Sequence, residues 1–349
     1  MKRWLTPGAI ALSLVLLLSA CDRKPDAIYQ QQILALGTLV DVVIYGVDEE
    51  TGQQAVGRVN DILEHIHHDW HAWEPSKLTQ INQRLAKGES ATLDAAGQRL
   101  ISKSIALSLE SGNLFNPATG KLIAAWGFHS DERDDSPPPA DEKIRALLAA
   151  HPRMSDLVLE GNTLRSTNPE VQLDLGGFAK GYAVDLAIAE LKKMGISNAI
   201  VNAGGDLRAI GNKNGIPWRI GIRHPREAGI IASLNVEGDE SVFTSGDYER
   251  YFDYHGQRYH HIIDPRTGRP AKGTSSVTVI HQDAATADAA ATALLIAGPA
   301  QWQKTAQAMG VNQVMLIDLE GNIYMSERMA KRLYLMAEPT PNIEIVKLP

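Results

Sequence analysis

Apolar residues along this 349-residue chain return with two different periods, and the period assigns the element. Over residues 53–70, Val59, Ile62, Leu63, Ile66 and Trp70 recur every third or fourth position, which predicts an amphipathic helix. The pattern repeats over 100–109, stopping near Gly112, and more briefly over 144–150. Helices are also expected over 179–194, 288–297 and 299–309, where Pro299 suits a first turn because its missing N–H costs nothing there. Short runs rich in Val, Ile and Leu predict strands over 33–44, 171–175, 199–202, 218–222, 231–236, 242–245, 276–280, 313–318 and 323–324. Residues 157–164 predict a hairpin with Gly161-Asn162 at its turn. Strands and helices mix without strict alternation, so the expected class is α+β and not a doubly wound parallel sheet, and the length suits a large single domain or two intimate lobes.

The N-terminal segment is not part of that pattern. Lys2 and Arg3 precede an apolar stretch over 10–18 that is shorter than the roughly 20 residues a spanning helix needs, so residues 1–20 are expected to be a signal peptide. Leu18-Ser19-Ala20-Cys21 resembles a bacterial lipobox, with Cys21 as the lipidated residue after cleavage. Cys21 is the only cysteine, so no internal disulfide explains it, and an acyl anchor does; an ordinary secretory signal with a coincidental Cys is the alternative. Asp22 resembles a retention signal, which implies the periplasmic side of the inner membrane. A tether over 21–30, a domain over 31–335 and a tail over 336–349 complete the expected organisation. The net charge of −7 and the lack of a basic tract argue against nucleic acid as a partner. Charges and prolines over 130–139 break any regular element and predict an exposed loop.

Chemistry enters with the run 285–298, almost pure Ala and Leu, in which Asp288 and Thr292 stand four residues apart. That spacing puts both oxygens on one helix face, one turn apart, as a hard cation such as Mg2+ would require. Equally, Thr286 could cap the helix, Asp288 could favour its first turn, and Thr292 could bond a backbone carbonyl. Leu173-Asp174-Leu175-Gly176-Gly177, followed by Phe178-Ala179-Lys180-Gly181, reads as a strand, a glycine turn and a helix start. Such a turn lets backbone approach a ligand closely, or merely packs a tight connection. Asn202-Ala203-Gly204-Gly205-Asp206 reads first as a hairpin turn. Thr244-Ser245-Gly246-Asp247 is a polar turn followed by aromatic residues, and His260-His261 precedes the turn Asp264-Pro265-Arg266-Thr267-Gly268. His261 is a candidate proton acceptor near neutral pH. His67 and His71 have metal-ligand spacing but no His-Glu-x-x-His pattern, so a solvated polar face is the default.

Taken in order, these motifs resemble the ApbE family of FAD:protein FMN transferases, over roughly residues 31 to 325. Leu36-Gly37-Thr38 is similar to the family's Met-Gly-Thr entry strand, and the segment from Trp73 to Asn82 to its Ser…Asn segment. Phe115-Asn116-Pro117-Ala118-Thr119-Gly120 is similar to its Phe-Asp-Pro-Thr-Val-Gly-Pro loop, departing where Asn116 replaces the acid and Lys121 the final proline. The resemblance implies a T-fold-like architecture, with mixed sheets packed against helices in a single large domain, and a Mg2+-dependent enzyme. Such an enzyme cleaves FAD, attaches FMN through a phosphoester to a Thr of a partner protein, usually a membrane redox-pump subunit, and releases AMP. It further implies Mg2+ held by Asp288, Thr292 and the carbonyl of Gly177. Asp174 and Lys180 would border the cofactor, and Leu36, Trp73, Asn116, Pro117, Ala118, His261 and Ile262 would line it. His261 would take the proton from the incoming Thr, or from water. An FAD-binding lipoprotein without transfer, and a Mg2+-dependent FAD pyrophosphatase yielding FMN and AMP, need the same pocket.

Overall fold

The computed structural model describes residues 27–129, 137–236, 238–336 and 342–348. Its centre is a nine-stranded sheet in the order Ile28–Ala35, Thr38–Tyr45, Ala199–Ala203, Asp206–Gly211, Gly238–Gly246, Thr274–His281, Val314–Asp318, Ile323–Ser326 and Ile343–Val346. Neighbours run antiparallel except the last pair, which is parallel.

Alternation along the strands serves two cores. Val40, Val42, Ile44, Val201, Phe243, Val277, Val279 and Leu316 face one side. The helices Glu49–Trp70, Ala179–Lys193 and Ala284–Ala297 pack there. Val242, Ile280, Met315 and Ile317 face the other side, covered by a three-stranded sheet of Trp218–Arg223, Ile230–Val236 and Tyr334–Leu335. A smaller cluster of Leu122, Trp126, Phe128, Ile144 and Ile263 sits beneath the helices Gly120–Ala125 and Asp141–Ala149. Ala284–Ala297 is apolar all round because it is buried all round, between the sheet and Ala179–Lys193.

Several expectations change. The strand expected over 33–44 is a hairpin whose turn, Leu36-Gly37, has φ of 54° and 69°. Two positive φ values are what a two-residue hairpin turn needs, and the usual Asn-Gly signal is missing here. The first strand begins at Ile28, inside the stretch read as a tether, and Ile343–Val346, inside the stretch read as a tail, pairs with Ile323–Ser326. Residues 171–175 form no strand; only Gln172 makes a bridge, to Thr119. Pro299 precedes its helix, which runs Trp302–Ala308. The helix Lys77–Ala86 was not anticipated, although Ser76 and Thr79 cap it reciprocally. Cys21, with all of residues 1–26, lies outside the described residues, as do 130–136 of the polar loop. Among the described residues no helix is long and apolar enough to cross a membrane.

Candidate active site

One end of the large sheet opens into a cavity of about 500 Å³, a size that suits a small ligand. Its wall is assembled from the hairpin turn Leu36-Gly37-Thr38, the connection Ala203-Gly204, and the strand end Thr244-Ser245-Gly246. The turn from Asp174 to Lys180, the segment His261-Ile262-Ile263 and the helix Ala284–Ala297 complete it.

The helix is capped by Asp283, whose carboxylate accepts from Thr286 N at 2.8 Å, so Thr286 is not the cap. Asp288 therefore stands in the second turn, not the first, and it is 5% exposed. Its Oδ2 accepts from the backbone N–H of Gly181 at 2.9 Å. Thr292 turns its hydroxyl into the same wall, 3.3 Å from Ser245 Oγ. Gly177 faces it: a Cβ built on Gly177 would lie 3.4 Å from Thr292 Oγ1. Gly177, Asp288 and Thr292, from two distant stretches of sequence, thus share one corner of the cavity.

That corner is rich in carboxyl groups. Burial pushes Asp288 well above the usual carboxylate range, with Asp206 adding to the effect and Lys180 opposing it. Burial also raises Asp174, against the Gly176 N–H at 2.8 Å, the Arg250 charge and a hydrogen bond from Trp73. Glu249 is raised by burial too. Lys180 pairs with Asp206; burial works against its charge, yet Asp206, then Asp288 and Glu249, hold its pKa above the ordinary value. Asp206 Oδ1 in turn accepts from Thr244 N at 2.8 Å. Asp288 and Glu249, both held up by desolvation beside Lys180, would favour added positive charge at this corner. The donors at the corner are hard oxygens: a carboxylate, a hydroxyl and the Gly177 backbone. That set suits Mg2+, which keeps open positions for water and phosphate. No group of three or more His, Cys, Asp or Glu that could hold a metal occurs among the described residues, as a zinc site would need.

His261 lines the cavity with Nδ1 3.2 Å from the carbonyl of Arg250. A carbonyl only accepts, so Nδ1 carries the proton and Nε2 is left as the acceptor. Burial, with the Arg250 and His260 charges, pushes its pKa down to about 3, so the ring is neutral at physiological pH.

Leu36, Trp73, Asn116, Pro117, Asp174, Lys180 and Ile262 all reach the cavity. Ala118 does not: it is fully buried behind the loop, and its carbonyl accepts from Gln172 N at 3.2 Å. The Asn116 side chain holds its own loop, taking the N–H of Ala118 at 3.2 Å and donating to Pro152 O at 2.9 Å. His67 and His71 line the wall, where His71 Nδ1 accepts the N–H groups of Trp73 and Glu74 at 3.2 and 2.9 Å. A solvated face is therefore not their whole setting. Asp206, read from sequence as part of a hairpin turn, is a cavity residue, and so are Phe115, Ser245, Glu249 and Arg250. For Asp206 the signal was present: an acid immediately after two glycines at a strand start. The loop after His261 sends Arg266 to the other end of the helix, where Nη2 donates to Ile296 O at 3.1 Å.

Known proteins resemble this chain in sequence and in overall fold. The family model described as the ApbE family matches residues 36–316. The FAD:protein FMN transferase of Rhodobacter capsulatus is 42% identical over 330 residues, which is 93% of this chain but 62% of that protein's length. Its counterpart of the same name in Vibrio cholerae is 32% identical over 325 residues, 91% of this chain and 94% of that protein. Among solved structures, the ApbE protein of Thermotoga maritima superposes with a TM-score of 0.81 at 33% identity, covering 87% of this chain and 99% of that one. The Vibrio cholerae flavin transferase ApbE gives 0.77 at 29% identity, covering 88% and 100%.

Proposed function

The chain belongs to the ApbE family, and on that premise we propose that it is an FAD:protein FMN transferase. It takes FAD, breaks the bond between the two phosphates, joins FMN to a Thr hydroxyl of a partner protein and releases AMP. The observation that supports this most is the corner where Gly177, Asp288 and Thr292 meet inside the cavity that also holds His261. Asp288, Thr292 and the Gly177 carbonyl would hold Mg2+. When bound there, the cation supplies charge neutralisation for a reacting pyrophosphate.

The chain's own residues do the rest. Lys180, fixed by Asp206, sets a permanent positive charge at the cavity wall, where phosphate oxygens can meet it. Neutral His261 offers Nε2 to the Thr proton, and an anionic substrate beside it would raise its depressed pKa toward the working range. Trp73, Leu36 and Ile262 give the cavity apolar wall for the ring systems of the dinucleotide, and Phe115 extends it. The partner, a membrane redox-pump subunit by family resemblance, brings the acceptor Thr to the open mouth. A lipid anchor at Cys21, with two acyl chains for stable attachment, would hold the enzyme on the periplasmic face of the inner membrane.

Incubation with FAD, Mg2+ and a Thr-bearing acceptor domain tests the reading. Covalent flavin on the acceptor is the expected result. Free FMN and AMP in its place would make the protein a pyrophosphatase, and bound but intact FAD would make it a carrier.

A further inference from the structure

The helix that holds Asp288 and Thr292 is gripped at its N-terminus by another helix. The N–H of Ala284 donates to Asp185 Oδ1 at 2.9 Å and that of Ala285 to Asp185 Oδ2 at 3.0 Å. One carboxylate thus fills two of the donors that a helix start leaves unsatisfied, and its charge suits the positive end of the helix. Asp185 follows Gly181 by one turn on Ala179–Lys193, so both face the same way. Gly181 gives its N–H to Asp288, and a Cβ there would stand 2.4 Å from Ala284 O. The two helices therefore touch at two points one turn apart, one on Asp288 itself and one on the first residues of its helix. Behind Asp185, Arg208 pairs with it and clamps Asp239 through Nε and Nη2 at 2.8 and 2.9 Å. Neither Asp185, Arg208 nor Asp239 reaches the cavity.

We propose that Asp185 is a positioning residue for the metal corner: its two hydrogen bonds set the height and rotation of Ala284–Ala297, and so the point at which the Asp288 and Thr292 oxygens converge. The inference rests on the reading of that corner as the Mg2+ site. The physical reason is the strictness of the ligand sphere. A slip of one residue turns a helix by about 100° and advances it by about 1.5 Å, and Mg2+ tolerates little departure from octahedral geometry at about 2.0–2.1 Å. A buried carboxylate beside the Asp283 charge is a costly way to cap a helix. Asparagine in its place has one acceptor oxygen, so it leaves one of the two N–H groups facing an NH2 donor.

Binding of Mn2+, used as a paramagnetic substitute for Mg2+, is measured by electron paramagnetic resonance on the whole protein and on Asp185→Asn, Asp185→Glu and Asp239→Asn, alongside thermal melts. Asp239→Asn loosens Arg208 and releases Lys192 near the far end of Ala179–Lys193, but leaves the Asp185 bonds to Ala284–Ala297 in place, and should bind Mn2+ like wild type. Asp185→Asn should weaken Mn2+ by about 10- to 100-fold, the effect typical of residues that orient metal ligands. The Mg2+ needed for half-maximal transfer should rise in proportion, with little change in the FAD KM at saturating Mg2+. Asp185→Glu keeps the charge that Arg208 needs but sets the carboxylate one methylene further out. It should fold even if Asp185→Asn does not, and should also bind Mn2+ weakly. Wild-type Mn2+ affinity in either folded Asp185 variant, or an equal loss in Asp239→Asn, would overturn the proposal. Absence of Mn2+ binding to the wild-type protein would instead refute the metal reading, and this inference with it.

Discussion

The side-chain amide of Asn82 pairs with both backbone polar groups of Leu173: Oδ1 accepts the N–H at 2.7 Å and Nδ2 donates to the carbonyl at 2.9 Å. A side chain thereby does the work of a neighbouring strand, and the segment 171–175 can stay extended without entering a sheet. The next residue is Asp174, whose own N–H goes to Pro117 O at 2.8 Å, so the cavity turn is launched from this contact. Asn82→Ala leaves two buried backbone groups unpaired at about 1–3 kcal/mol each, so a loss of about 2–6 kcal/mol is expected in urea unfolding, with weaker FAD binding. Wild-type stability in Asn82→Ala would mean that water or a rearranged backbone replaces the amide.

Gly181→Ala should run against helix propensity. In an ordinary helix interior the change stabilises by about 1 kcal/mol. Here the new Cβ would lie 2.4 Å from Ala284 O and 2.8 Å from Asp288 Cβ, so the two helices must separate. A lower melting temperature and lost transfer are expected. Gly177→Ala, whose Cβ meets nothing nearer than Thr292 Oγ1 at 3.4 Å, should melt like wild type. Paired melts of the two variants decide the matter, and the idea fails if Gly181→Ala is the more stable.

Asp288→Ala separates chemistry from packing. Removing a proposed ligand of the cation that would neutralise phosphate charge should cost at least about 100-fold in transfer rate. Its melting temperature should change little, because a carboxyl raised by burial leaves the interior while the Gly181 N–H loses its acceptor. If Asp288 served only to accept that N–H, the change would cost about 1–3 kcal/mol of stability and leave transfer intact.

Two desolvated histidines should contribute less to stability on the acid side of neutrality. His260 is depressed by burial below its ordinary value of 6.5, with Nε2 2.9 Å from Ala271 O, and His261 is depressed further, to about 3. For a group whose folded pKa lies lower, the unfolded chain binds more protons throughout the interval between the two values. The contribution is therefore complete above about pH 6.5 and declines as pH drops through that interval. The wild-type urea midpoint minus that of His260→Gln should be level above about pH 6.5 and shrink below it, a difference in which the opposite slope of the raised Asp174, Glu249 and Asp288 carboxyls cancels. A flat difference down to mild acid would show that the His260 ring protonates without cost.

Cys21→Ser should release the protein from the membrane fraction, because a single residue is proposed to bear the anchor. Membrane attachment as firm as wild type would count against lipidation at that position.

The convergence of Gly177, Asp288 and Thr292 on one cavity corner was largely legible because these residues keep fixed spacings within short motifs. Asp288 and Thr292 are one turn apart on a helix that composition alone betrays, and Gly177 follows an acid at a turn. What the sequence hid was produced by contacts across long separations. The hairpin at Leu36-Gly37 went unread because a leucine occupies a positive-φ position, where a continuous apolar run gives no sign of reversal. The 171–175 segment looked like a strand because its alternation is that of a strand; its partner is an amide from residue 82. Ala118 was placed on the cavity wall from its motif, yet it is fully buried one layer behind, while Pro117 and Thr119 on either side of it line the cavity. Asp206 looked like turn chemistry, and only folding brings Lys180 to it.

The opening hairpin also separates two kinds of traffic. Residue 28 and the turn at Leu36-Gly37 lie at opposite ends of an eight-residue strand, about 27 Å apart at the usual rise of an antiparallel strand. Whatever precedes the strand joins the domain at the far end, while the turn itself forms part of the cavity rim. A protein substrate that meets the cavity at this turn therefore approaches the end of the strand opposite to the one where the preceding chain attaches, and neither has to move to admit the other.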